Sequence, residues 1–239
     1  MKNFIFSTLI IIVISISGCV FIGHRVNGNG NVIKENRDLA SFHAVHVEGS
    51  MNVYVVQGEA KPAVIEAEEN IIPYLETTVD NGRLFIHYRD NTWVSAHKEV
   101  KVYITAPAID ELHMEGSGEI IAQNKIINDH QLWIGVTGSE DKKADVNAPL
   151  IKASIAGSGN IDASGETKNV QLDITGSGDY NGYELMTENA KATVTGSGNA
   201  YVSASMQLEA HITGSGDINY KGEPQINKNI TGSGDVIKK

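Results

Sequence analysis

From about residue 110 to the end of the chain, apolar and polar residues alternate in short runs, each closing on a glycine corner. Val170-Gln-Leu-Asp-Ile-Thr-Gly-Ser-Gly-Asp179 and Ala190-Lys-Ala-Thr-Val-Thr-Gly-Ser-Gly-Asn199 show the pattern. A period of two belongs to strands, whose successive side chains point to opposite faces. Two residues before each first glycine stand Met114, Val136, Ile155, Ile174, Val194, Ile212 and Ile230. Two residues earlier stand Leu112, Ile134, Ala153, Leu172, Ala192 and Ala210, with Lys228 breaking the column in the last copy. Four residues after the first glycine come Ile120, Ile161, Tyr180, Ala200, Ile218 and Val236. All three columns are expected on one inward face.

The corners recur. Gly-Ser-Gly begins at Gly116, Gly157, Gly176, Gly196, Gly214 and Gly232, and a worn copy starts at Gly138. Successive starts lie 22, 19, 19, 20, 18 and 18 residues apart. A drifting period near twenty is the mark of a solenoid, whose units bury a core only by stacking on one another. The pattern predicts an all-β chain: a parallel β-solenoid, or β-helix, of about 18–22 residues per coil. A leucine-rich repeat has a similar period, but its leucine and asparagine scaffold is missing.

The corner glycines are Gly116, Gly118, Gly138, Gly157, Gly159, Gly176, Gly178, Gly196, Gly198, Gly214, Gly216, Gly232 and Gly234. Sharp turns need backbone conformations that glycine reaches cheaply. No Gly-Lys-Ser/Thr follows, so a P-loop is excluded; an anion nest of glycine amides is the other reading. Beside the corners runs a polar column, Glu119, Asp141, Asn160, Asp179, Asn199, Asp217 and Asp235. It is expected to cap the turns through backbone amides. A calcium column is the alternative, but the chain offers one such residue per coil where nonapeptide calcium repeats offer one in nine.

Upstream the grammar loosens. Ala44-Val-His-Val-Glu48 leads into Gly49-Ser50, a first echo of the corner. Alternating runs then flank Asn81-Gly82, the strongest short hairpin signal. Residues 41–115 are therefore expected to form a strand-rich N-terminal capping region, with 116–239 as the repeats proper. Residues 19–40, with Asn27-Gly-Asn-Gly-Asn31, suggest a flexible tether.

Met1 to Gly18 reads as a signal peptide, a short positive start and an apolar run too short for a membrane span. It ends in Ile16-Ser-Gly-Cys19, which resembles the lipobox of bacterial lipoproteins. Cys19 is the single cysteine, and it is the expected site of lipidation and membrane attachment. Processing would leave 239 − 18 = 221 residues and, with Lys2 gone, a formal charge of −11 rather than −10. So acidic a chain, its basic residues scattered, lacks the footprint for nucleic acid. No acidic run follows Cys19, which favours the periplasmic face of the outer membrane over the cell surface.

The lipobox, Val47-Glu-Gly-Ser50, the Asn81-Gly82 hairpin and the repeated Gly-Ser-Gly-Asp/Asn corners together resemble the auto-transporter adhesin "head GIN" family. Gly216-Asp-Ile-Asn219 and Gly159-Asn-Ile-Asp162 show its Gly-x-Ile-Asn character. The resemblance covers about residues 41–237 and implies a β-solenoid, often a lipoprotein, common in Bacteroidota. It carries no catalytic residue to transfer.

Chemistry is sparse. His43 and His46 point to opposite faces of one strand and cannot chelate one ion, and the other histidines stand apart in sequence. No metal or cofactor is expected. Between Gly138 and Gly234 there is no Trp or Arg, which disfavours a sugar-cleaving site on the regular coils. The aromatics concentrate upstream, where Tyr88, Arg89 and Trp93 are the nominated recognition surface, Trp93 being the one expected exposed. The expected function is a non-enzymatic, lipid-anchored envelope protein offering a solenoid surface for adhesion or assembly, with a glycan or protein ligand and self-association. The alternative is a carbohydrate-binding or carbohydrate-active β-helix protein.

Overall fold

The computed structural model describes residues 23–139 and 141–239. The signal segment and Cys19 lie outside the described residues, as does Glu140 of the worn corner.

The upstream strands are β1 (His24–Asn27), β2 (Val32–Arg37), β3 (Ala44–Gly49), β4 (Asn52–Gln57), β5 (Lys61–Glu68), β6 (Leu75–Asp80), β7 (Arg83–Tyr88), β8 (Thr92–Ser95) and β9 (Lys101–Ala106). The coils follow as β10 (Glu111–Gly116), β11 (Glu119–Ala122), β12 (Ile126–Ile127), β13 (Gln131–Gly138), β14 (Asp141–Gly157), β15 (Asn160–Gly176) and β16 (Tyr180–Gly196). The last coils are β17 (Ala200–Ser203), β18 (Gln207–Gly214), β19 (Ile218–Lys221), β20 (Gln225–Gly232) and β21 (Val236–Lys238).

The protein is a parallel β-solenoid. Strands entering the corners stack in the order β7, β3, β10, β13, β14, β15, β16, β18, β20. Strands leaving them stack as β9, β4, β11, β14, β15, β16, β17, β19, β21. The register places Gly49, Gly116, Gly138, Gly157, Gly176, Gly196, Gly214 and Gly232 in one column. The first coil is thus β3 and β4, upstream of the expected boundary at residue 116. After β4 the chain lays β7 and β9 on one side of this coil and returns in register at β10 on the other, because the apolar alternation of these strands matches the same inward face.

The excursion caps the first coil with antiparallel strands: β6 on β7, and β5 on β9 with β2 outside it. Asn81 (φ 48°) and Gly82 (φ 77°) make the two-residue turn between β6 and β7. All three inward columns are buried through the middle coils. In β20 the inward position of Lys228 is exposed, and Ile226 keeps 39% of its surface.

Within the expected tether at 19–40, the described residues include the strands β1 and β2. β1 pairs in parallel with β8, and β2 pairs with β5. What composition could not show is the fully buried Glu68, whose carboxylate accepts the backbone N–H groups of Gly30 (2.5 Å), His97 (2.8 Å) and Lys98 (3.3 Å). Burial works against its charge, but these amides outweigh that and hold its pKa below the ordinary carboxylate value.

Candidate recognition face

The corner carbonyls of Gly138, Gly157, Gly176, Gly196 and Gly214 are each shared by two donors from the next coil. The Gly157 oxygen accepts the N–H of Ser177 at 2.8 Å and that of Gly178 at 3.2 Å. Gly176 adopts φ +124°, where a side chain is strained. Gly178 needs no unusual φ, but a Cβ there would lie 2.0 Å from the Gly159 oxygen. The glycines of each corner thus serve different purposes, and the corner amides are spent on the neighbouring coil. The polar column is used likewise: Asn199 donates its backbone N–H to Asp179 Oδ1 at 2.7 Å, and Asp217 donates to Asn199 Oδ1 at 3.1 Å.

The nominated surface residues separate. Trp93 is 60% exposed on β8. Arg89 donates to Glu76 Oε1 at 3.0 Å and to the Pro73 carbonyl at 3.1 Å, with its guanidinium over the Tyr74 ring. Tyr88 instead turns inward and covers the Gly49 corner. Burial pushes its hydroxyl up to about 12, against the opposing Ser50 hydroxyl.

A different cluster forms on the outer face of β7, β3, β10 and β13. Register sets Phe85, His46, His113 and Gly135 on successive rungs. The His46 and His113 rings stack at 4.8 Å and 26°. Gly135 has no side chain to continue the ladder, and Trp133, two residues away, lies over the gap instead. Its ring stacks on His113 at 4.9 Å and 8°. A Cβ at Gly135 would meet Trp133 at 2.9 Å and His113 Nδ1 at 2.4 Å. Phe85 lies 5.6 Å from His46 at the other end.

Carboxylates border the imidazoles: His46 Nε2 lies 3.1 Å from Glu48 Oε1, and His113 Nε2 lies 3.1 Å from Glu115 Oε1. Behind them, inside the solenoid, Lys142 occupies the column that holds Ile120 one coil below and Ile161 one coil above. It is 3% exposed and donates Nζ to the carbonyls of Leu112 and Gly135. Burial lowers the pKa of His113, its bond to Glu115 opposes this, and the Lys142 charge adds to the lowering. His113 is thereby biased toward the neutral imidazole.

Next to this ladder opens a groove of about 700 Å³ lined by Phe85, Trp133, Lys152 and two polar pairs. Arg83 meets Glu111 at 2.5 Å, and His43 meets Asp110 at 2.9 Å. Sequence reading missed this face because its residues lie far apart along the chain. One signal was present: His46 and His113 each stand three residues before a corner glycine, Gly49 and Gly116. Among the described residues, no helix is long and apolar enough to cross a membrane.

No curated protein matches the chain. Solved structures share its fold. A Bacteroides fragilis protein described as a "putative adhesin" aligns over 90% of this chain and 100% of its own, at TM-score 0.85 and 22% identity. A Parabacteroides distasonis protein described as a "putative lipid binding protein" covers 90% and 99%, at 0.77 and 24%. A Parabacteroides merdae "putative adhesin" covers 90% and 99%, at 0.73 and 21%. The family model described as "Putative auto-transporter adhesin, head GIN domain" matches residues 41–224, so the chain, an adhesion-type envelope protein, belongs to the head GIN family.

Proposed function

We propose that this protein is a non-enzymatic envelope adhesin, lipid-anchored at Cys19 to the periplasmic face of the outer membrane, that holds a glycan-like polar ligand in the groove between Phe85 and Trp133. The observation that supports it most directly is the composition of that groove. Two aromatic edges lie beside Arg83, Lys152, Asp110 and Glu111, a mixture of apolar platform and charged hydrogen-bonding groups suited to sugars. Pairing of Asp110 with His43 and Glu111 with Arg83 suits recognition better than acid catalysis, because each carboxylate is already committed to a neighbouring side chain.

The test is a glycan array probed with the full chain, alongside Arg83→Ala and Lys152→Ala variants in the groove lining. Retention of defined glycans by the wild type, weakened about tenfold or more by either variant, is the expected result. Equal retention by all three proteins would remove the groove from the reading. New reducing ends appearing in the bound glycan would replace the adhesin with a carbohydrate-active enzyme.

A further inference from the structure

Among the described residues, His46, His113 and Glu115 bring two imidazole nitrogens and a carboxylate oxygen within 4.8 Å of one another. The three come from adjacent parallel strands, β3 and β10, and all face outward. We propose that this cluster is a binding site for a late first-row divalent metal ion, zinc being its probe, with Glu48 closing the set.

The distances suit such an ion. Glu115 Oε1 lies 3.1 Å from His113 Nε2 and 3.9 Å from His46 Nε2, and Glu48 Oε1 lies 3.1 Å from His46 Nε2. Zinc bonds of about 2.1 Å imply a tetrahedral edge of roughly 3.4 Å, which these separations bracket. Both Nε2 atoms face the carboxylates, because each is the ring nitrogen in contact with one. The 26° tilt between the rings leaves the nitrogens to be converged by χ2, a soft torsion in histidine. Two imidazoles with carboxylate oxygen form a donor set suited to zinc and its neighbours rather than to calcium or magnesium, which prefer oxygen alone.

The surroundings hold the ligands ready. Phe85 and Trp133 flank the imidazole pair, so stacking confines both rings to this face before any ion arrives while χ2 stays free to adjust. One support is missing: His113 Nδ1 is buried with no hydrogen-bond partner among the described residues. Histidine ligands ordinarily gain about 10- to 100-fold in affinity from that second contact, so binding on the order of micromolar is expected.

Calorimetric titration of the untagged full chain with zinc chloride at neutral pH tests the proposal. One equivalent should bind, and saturating zinc should raise the melting temperature. His46→Phe, which keeps an aromatic ring in the stack, and Glu115→Gln should each weaken binding at least tenfold and abolish the thermal shift. His211→Phe, at the far coils, should bind like wild type. Circular dichroism establishes that the variants are folded, and the partly exposed Glu115→Gln stands in should His46→Phe misfold. Absence of wild-type binding up to about 100 μM zinc, far above the expected range, overturns the proposal. So does full binding by folded variants at His46 and Glu115.

Discussion

A Cβ placed on Gly176 would lie 2.2 Å from the carbonyl oxygen of Gly157, the atom that ties one coil to the next. That oxygen already accepts two amides, so a side chain here both clashes and strains a φ of +124°. Gly176→Val should cost about 3 kcal/mol or more. Gly178→Ala should also destabilise, by clashing with the Gly159 oxygen and Ile155 Cγ2 without a φ penalty. Ser177→Ala, whose side chain is exposed, should change stability by about 0.5 kcal/mol at most. Thermal melts of the three variants check the order.

Tyr180 fills an inward position with Ile161 below and Ala200 above, and Gly182 makes room for its ring. Its hydroxyl is buried with no hydrogen-bond partner among the described residues, and burial pushes its pKa well above the ordinary phenol value. Tyr180→Phe should therefore be neutral or stabilise by about 1 kcal/mol, since an unsatisfied buried hydroxyl is costly. Tyr180→Ala should cost about 3–5 kcal/mol. Denaturant titration separates the two outcomes, and a large loss in Tyr180→Phe would show that the hydroxyl has a partner.

Glu68 makes the upstream end of the molecule sensitive to acid. Its folded pKa is lowered, so its contribution is present above the unfolded carboxylate value and lost as pH falls through the folded one. Hydrogen exchange at the amides of Gly30, His97 and Lys98 should accelerate on acidification before the coils open. Glu68→Gln should produce that acceleration at neutral pH, because it removes the charge and turns one acceptor into a donor facing amides. Unchanged exchange in Glu68→Gln would refute the lock.

Cys19→Ala should abolish incorporation of a fatty-acid analogue and leave a form that keeps its signal segment. Equal labelling of wild type and variant would remove the anchor.

The coil was legible because one constraint repeats: the same corner, the same alternation, the same inward columns. Legibility failed wherever a residue acts across coils at a non-repeated position. His46 and His113 are neighbours only through the β3–β10 register, across an insertion of dozens of residues. Lys142 looked like one more polar residue in the worn copy, yet it stands where its neighbours carry isoleucine. Asn27-Gly-Asn-Gly-Asn31 has the composition of a linker, and the buried carboxylate of Glu68 together with Asn70 shows why it is held. Tyr88 shares a short stretch with Arg89 and Trp93, but strand alternation turns it the other way.

The pairing of β1 with β8 also limits reach. The first described strand, β1, starts at His24, five residues beyond Cys19. Fully extended, five residues span at most about 18 Å. An anchor at Cys19 would therefore hold the capped end close to the lipid headgroups, with its leash shorter than the bilayer is thick. Partners would have to meet the groove at the membrane surface rather than at a distance from it.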